Sequence, residues 1–328
     1  MAENRARKEP TMQVHQQSGV IVVDKPPDIS SAKVVAKVKR ILNAKKVGHT
    51  GTLDPFAEGV LVCCINDATR LVQFLQSGNK TYDAIMKLGI ETDTQDSTGA
   101  VIASKTVTHC TDQRIRSVVK NFKGAIDQQP PVFSALKHKG TPLYRLARQG
   151  RPVQKPARQI YIFDIKILEI KLPLVHFEIS CSAGTYIRTL CADIGKQLEC
   201  GAHLLALKRT ANSGFHINQA VSLSQLEKQA LIGELNGCFI SMTDALMDMP
   251  AYKANQHLIK KIKHGQPICK TDMDLGWLSE NVTKQDTHLK IVDTDNTLLA
   301  VLRYKTEQDK FNYACVFQKQ TLQEHHQR

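Results

Sequence analysis

Residues 48–55 read Gly48-His49-Thr50-Gly51-Thr52-Leu53-Asp54-Pro55. Two glycines within four residues let the backbone turn tightly and approach a ligand. Upstream, Gly19–Lys25 (GVIVVDK) has the unbroken apolar run of a buried strand, ended by Pro26 and Pro27. Ser30 or Ser31 then caps a helix over about 32–43, whose apolar stripe is Val34, Val35, Val38, Ile41 and Leu42. Downstream come a strand at 60–65, a helix at 67–77 and a strand through 80–90. In that last strand Tyr82, Ala84, Met86 and Leu88 share one face by period-2 alternation. The loop therefore joins a helix to a buried strand within an alternating framework.

Farther along, the polar stretch 92–99 is a loop, and a helix over 111–121 follows Thr111. Residues 128–156 hold Pro130, Pro131, Pro142, Pro152 and Pro156 with Gly140 and Gly150, too broken for long elements. They read as an excursion with one short helix at 142–149. Strands at 159–170 and 174–182 lead into a helix at 185–199 and strands at 204–213 and 215–218. The pattern is mixed α+β, not the regular βαβ alternation of a parallel sheet. It predicts a domain over 19–248, a boundary near Pro250 and a small β-rich module over 249–318, with loose polar tails at 1–18 and 319–328.

Across 328 residues, 44 Lys and Arg face 31 Asp and Glu, a net charge of +13. Residues 29–53 carry six bases and no acid (Lys33, Lys37, Lys39, Arg40, Lys45, Lys46). Residues 128–163 carry seven (Lys137, Lys139, Arg145, Arg148, Arg151, Lys155, Arg158), again with no acid. A third acid-free run, 249–271, adds five lysines. Basic strips on a slightly acidic body suit a polyanion, although solvated basic faces give the same count. No apolar run approaches the ~18 residues of a membrane helix, and the polar start lacks a signal peptide's apolar stretch. Nine cysteines without a C-x-x-C pair and twelve scattered histidines suggest reduced thiols and no metal. A cytoplasmic location is expected.

Asp54 is the first acid after 25 residues without one. It reads either as an N-cap with Pro55 at the first helical position or as a nucleophile in a basic loop. Arg188 has Gly184, Cys191, Ala192 and Gly195 as its helical neighbours, all small and none acidic. It either reaches solvent or takes a tertiary carboxylate. Tyr82 reads as a core aromatic, although its place beside Lys80 suits base stacking. Lys25 could point into a cleft or only at water.

Taken in order, VVDKPPDISS, GHTGTLDPFAEGVL, KTYDA, QQPPVFSALKHKGTPLYRLARQG, SAGTYIRTLCADIG and GAHLLALKRTANSGF resemble the bacterial tRNA pseudouridine synthase family of the TruB type. The match runs from about Gly19 to Phe215, and the tail beyond Pro250 is more loosely similar to that family's PUA-like RNA-binding module. The resemblance implies the pseudouridine synthase catalytic fold, with a mixed, largely antiparallel central sheet. It implies isomerisation of uridine 55 in the tRNA T-loop, with no cofactor and no metal, by a monomer needing no protein partner. By the same resemblance Asp54 is the nucleophile, Arg188 its partner and Tyr82 the group that stacks on the base. Lys25, His49, Tyr186, Leu205 and Lys80 are substrate-side residues, His49 filling the space the flipped uridine leaves and Leu205 packing near the base. Two other readings stand beside this one: a guide-RNA-dependent catalytic subunit, and an RNA-binding or RNA-folding factor whose chemistry is secondary.

Overall fold

The computed structural model of the chain describes residues 17–281, 287–305 and 310–317. The expected tail at 319–328 lies outside the described residues, as does the N-terminal tail apart from Gln17 and Ser18. Those two are tied down: the Gln17 carbonyl accepts from Asn66 Nδ2 at 2.7 Å, and Ser18 Oγ accepts from the Asp67 N–H at 3.2 Å.

Strand β1 (Gly19–Lys25) is almost wholly buried, as its unbroken apolar run requires. Helix α1 (Ser31–Ile41) starts at an Ser30 cap whose side chain accepts from the Lys33 N–H. It buries Val34 and Val38 and leaves Lys33, Lys37, Lys39 and Arg40 in solvent. Three residues of the expected loop region, Val47–His49, instead form a short strand β2 beside β3 (Glu58–Ile65). The expected helix at 67–77 splits into a 3-10 segment over Asn66–Leu71 and one turn, α2 (Val72–Leu75). The Thr69 hydroxyl donates to the Asn66 carbonyl, a local competitor that favours the tighter coil.

Strand β4 (Lys80–Leu88) alternates strictly, with Lys80, Tyr82, Ala84, Met86 and Leu88 buried. An exposed hairpin, β5 (Ile90–Thr92) and β6 (Val101–Ser104), flanks the polar loop, and α3 (Asp112–Lys120) and β7 (Gly124–Gln128) follow. The excursion is a two-residue-by-two-residue hairpin, β8 (Lys137–His138) with β9 (Thr141–Pro142), and one helix, α4 (Leu143–Arg148). Then come β10 (Arg158–Lys171), β11 (Leu174–Cys181), α5 (Ile187–Gln197), β12 (Ala202–Asn212), β13 (Phe215–His216) and β14 (Val221–Ser222).

These strands make a ten-stranded sheet in the order β14-β1-β3-β12-β4-β11-β10-β7, with β2 on β3 and β13 on β12. Only β1 with β14 and β3 with β12 run parallel. One stretch of the sheet packs on α3 and α5 through Met86, Phe177, Ile115 and Ile194. Another packs on α1 and α6 (Leu223–Ile232) through Val23, Leu61, Val34, Val38 and Leu226.

After α7 (Met242–Ala245), a second sheet of five strands is built from β15 (Ala251–Lys253), β16 (Ile268–Cys269), β17 (His288–Val292), β18 (Leu298–Lys305) and β19 (Lys310–Val316). Helices α8 (Gln256–Lys263) and α9 (Leu275–Asn281) accompany it. The two sheets share an apolar core in which Val20, Val62 and Phe215 meet Leu298, Val301 and Phe317. Lys290 reinforces the joint, donating to the Thr243 and Leu246 carbonyls at 2.9 and 2.8 Å.

Candidate active site

The loop ahead of β3 is fixed by four buried side chains from three elements. Ser31 Oγ, at the start of α1, donates to the Leu53 carbonyl at 2.9 Å and accepts the Leu53 N–H at 2.8 Å. Lys25, fully buried at the end of β1, donates to the carbonyls of Pro55, Ile29 and Pro26. From β12, Arg209 Nη2 donates to the Gly51 carbonyl at 3.0 Å, and Asn212 Nδ2 donates to Thr50 Oγ1 at 3.0 Å. No helix follows Pro55, so Asp54 caps nothing. Its side chain is 32% exposed, while Leu53 beside it is in the core.

Arg188 supplies the opposite wall. It sits at the second position of α5, 3% exposed, and each nitrogen has an acceptor. Nε donates to Asp54 Oδ2 at 2.8 Å and Nη2 to Asp54 Oδ1 at 3.3 Å. Nη2 also donates to the Phe133 carbonyl at 2.9 Å, and Nη1 to the Thr94 carbonyl at 2.8 Å. A second carboxylate, Asp96, stands 3.5 Å from Nη1. Asp96 is itself oriented by Thr94 Oγ1, Thr98 Oγ1 and the Thr98 N–H. A buried guanidinium is tolerated only when paired this fully, and the fork geometry fixes the Asp54 carboxylate in one plane.

Helix α5 begins two residues later than expected because Gly184 takes a left-handed φ of +88° and Tyr186 becomes the cap residue. Gln128, 1% exposed, clasps the Tyr186 backbone, its amide nitrogen donating to the carbonyl at 3.0 Å and its oxygen accepting the N–H at 2.8 Å. Arg158 lies over the Tyr186 ring, 5.3 Å from its centre.

These walls enclose a cleft of about 590 Å³ lined by Asp54, Arg188, Tyr82, Lys80, Tyr186 and Arg209. Tyr82 is 6% exposed; burial pushes its hydroxyl up to about 12, against a pull from the nearby Arg209 charge. Lys80 donates to the Gly78 and Gln76 carbonyls at 2.7 and 3.2 Å. Burial, with the Arg209 charge adding, lowers it to about 8. Lys25 is also lowered to about 8, by burial first.

Of the eight residues named from sequence, five line the cleft. Lys25 stands behind it, holding Pro55. His49 lies on β2 outside the lining, its Nδ1 accepting the Gly51 N–H at 3.2 Å, and burial lowers its basicity. Leu205 is not among the residues that line the cleft: it sits at a bulge between Leu204 and Ala206 in β12, and Leu207 lines the cleft. Sequence reading missed Arg209, Asp96, Gln128 and Asn212. Arg209 carried a usable signal, a base two positions after Leu207 on the same strand face. Asp96 carried none beyond its place in a polar loop. Among the described residues no group of three His, Cys, Asp or Glu is gathered to hold a metal.

Residues 39–187 match the N-terminal domain of the TruB family of pseudouridylate synthases, and residues 188–246 match the C-terminal domain of tRNA pseudouridylate synthase B. A tRNA pseudouridine synthase B of Geobacter sulfurreducens is 44% identical over 258 residues, covering 79% of this chain and 85% of that protein. The chain belongs to the TruB family of pseudouridine synthases. A namesake from Cupriavidus metallidurans is 37% identical over 93% of this chain and 96% of its own. Among solved structures, a chain of a Cbf5-Nop10-Gar1 complex aligns with a TM-score of 0.72 and 28% identity, covering 95% of this chain and 88% of that one. The border between the two family domains falls inside α5, so the Asp54–Arg188 pair spans both.

Proposed function

We propose that the chain isomerises uridine 55 in the T-loop of tRNA, as a cytoplasmic monomer that needs no protein or guide RNA. The observation that carries this is the Asp54–Arg188 pair inside the cleft, with acid-free basic segments on the elements around it. The reaction is balanced without a cofactor. The N1–C1′ bond breaks, a C5–C1′ bond forms, and one proton leaves C5 while one reaches N1.

Asp54 is the nucleophile, its electron pair taken up at the ribose or at the base, and Arg188 holds its carboxylate in line. A stacked uridine is out of reach of a carboxylate set inside a cleft, so the nucleotide flips outward first. Tyr82 packs against the flipped base, and Lys80 and Tyr186 complete the walls. Exposed Lys33, Lys37 and Arg40 on α1, and Lys137, Lys139, Arg145, Arg148 and Arg151 on the excursion, contact phosphates. The five-stranded unit, with Lys260 and Lys263 exposed on α8, is read as a PUA-like RNA-binding module.

The likeness to Cbf5 in multiprotein complexes favours a second reading, a subunit that needs partners. Purified chain is therefore incubated with an unmodified T-arm stem-loop and nothing else, and the RNA is assayed for pseudouridine. The stand-alone reading expects product at the T-loop uridine. Product only after adding partner proteins or guide RNA would overturn it.

A further inference from the structure

Two buried cations line the cleft, Lys80 (6% exposed) and Arg209 (1%), and among the described residues neither enters an ion pair. Burying a charge is costly unless it is paired. Arg188 has the paired arrangement, with Asp54 and Asp96 against it. Lys25 has a saturated one, three carbonyls taking its three protons. Lys80 and Arg209 have neither. Lys80 donates to the Gly78 and Gln76 carbonyls and keeps one N–H over. Arg209 Nε and Nη2 donate to the Val60 and Gly51 carbonyls at 2.8 and 3.0 Å, and Nη1 has no acceptor. Among the described residues, the side-chain atoms sealed from solvent without a partner are Ser134 Oγ and Arg158 Nε, so Arg209 Nη1 opens on the cleft.

The spare donors converge on Gly51. A methyl carbon built there would stand 3.5 Å from Lys80 Cε and 3.6 Å from Arg209 Nη1, so the missing side chain leaves a gap beside both cations. Asp54 is the one carboxylate lining the cleft, and Arg188 holds both its oxygens. Burial lowers Lys80 to about 8, so near pH 7 most of it keeps its proton. Lys80 precedes Tyr82 by two residues on the same face of β4, about 7 Å toward the strand's start, and Arg209 is the register partner of Tyr82. A nucleotide whose base packs on Tyr82 reaches that spot with its own backbone phosphate. An ammonium beside a guanidinium suits a group with several anionic oxygens. Resting on the proposed uridine isomerisation, we propose that Lys80, Arg209 Nη1 and the gap at Gly51 form an anion subsite for a phosphate flanking the flipped uridine.

The test uses the full chain and T-arm RNAs in which the linkage 5′ or 3′ to the target uridine is a neutral methylphosphonate, beside the all-phosphate RNA. Affinity over a salt series, kcat and thermal midpoint are measured for the native protein, Lys80→Met and Gly51→Ala. Gly51→Ala keeps both charges and fills the gap at ordinary contact distances. Both variants should bind all-phosphate RNA at least about five-fold more weakly. Their slope of log affinity against log salt should flatten by about one phosphate-equivalent. One methylphosphonate RNA should bind the native protein as weakly, and on that RNA the variants should lose at most about two-fold more; the linkage concerned identifies the phosphate. Losses that multiply on both modified RNAs would overturn the subsite, as would variants that bind all-phosphate RNA like the native protein. A fall in kcat alone would turn the cations toward charge developing on the uracil and overturn it too. So would a drop in thermal midpoint beyond about 10 °C in both variants, which would make the pair part of the framework. Failure of the native chain to make pseudouridine would refute the isomerase reading, a result separate from the binding series.

Discussion

Arg188 Nε stands 2.8 Å from Asp54 Oδ2 although 134 residues separate them in the chain. The contact exists because α5 and the loop before β3 are each pinned independently, the first by Gln128 and the second by Ser31, Lys25, Arg209 and Asn212. Arg188→Met would leave Asp54 and Asp96 facing each other without their shared cation. Because Asp54 is partly solvated, the loss should sit near the low end of the roughly 3–5 kcal/mol for a broken buried pair. Urea unfolding measures it. Turnover should fall about 10²- to 10³-fold, the range for removal of a preset electrostatic partner.

Gln128→Leu tests the other anchor. It strips both hydrogen bonds from the Tyr186 backbone, which closes the cleft at the start of α5. Unfolding free energy should drop by about 1–3 kcal/mol, since one change leaves buried backbone groups without these partners. Turnover should fall with it, while binding of T-arm RNA changes little.

Salt dependence reports on the basic strip. Lys33, Lys37 and Arg40 lie on the exposed side of α1, away from buried Val34 and Val38. Changing all three to Gln should flatten the slope of log affinity against log salt by up to about three phosphate-equivalents. A slope equal to that of the unaltered protein would show that α1 faces away from the RNA.

The pH dependence of stability has a definite sign. Burial holds Lys25 and Lys80 near 8, against 10.5 for a free lysine. Between those values the unfolded chain binds protons that the folded protein has released, so stability from these two residues rises with pH across that window. It is lowest below pH 8, where both charges stay buried. Urea midpoints at pH 7.5 and 9.5 should show a smaller upward trend for Lys25→Met/Lys80→Met than for the native chain.

Much of this was legible in the sequence, for identifiable reasons. Strict alternation placed Tyr82 on the buried face of β4, and an apolar run placed Lys25 at the end of β1. The absence of any acid on Arg188's own helix face left solvent or a tertiary carboxylate as its two readings, and the fold supplies the carboxylate in Asp54. Leu205 was named by resemblance alone, and the bulge that keeps it out of the cleft lining is a feature that no period-2 count shows. The helix at 67–77 failed because Thr69's hydroxyl competes for the Asn66 carbonyl. Helix α6 passed unread despite Ser222 and Gln225 forming a capping box, a signal present in the sequence. Asp96 and Gln128 depend on tertiary contacts that no local pattern encodes.

The most direct test of the account compares Asp54→Asn with the native chain on one T-arm stem-loop, measuring pseudouridine formed and RNA bound in the same samples. The amide keeps the carboxylate's size and cannot act as its nucleophile. The account predicts product with the native protein, none above background with Asp54→Asn, and affinities within about two-fold, a difference of roughly 0.4 kcal/mol. Pseudouridine formed by Asp54→Asn at a rate near native would contradict it.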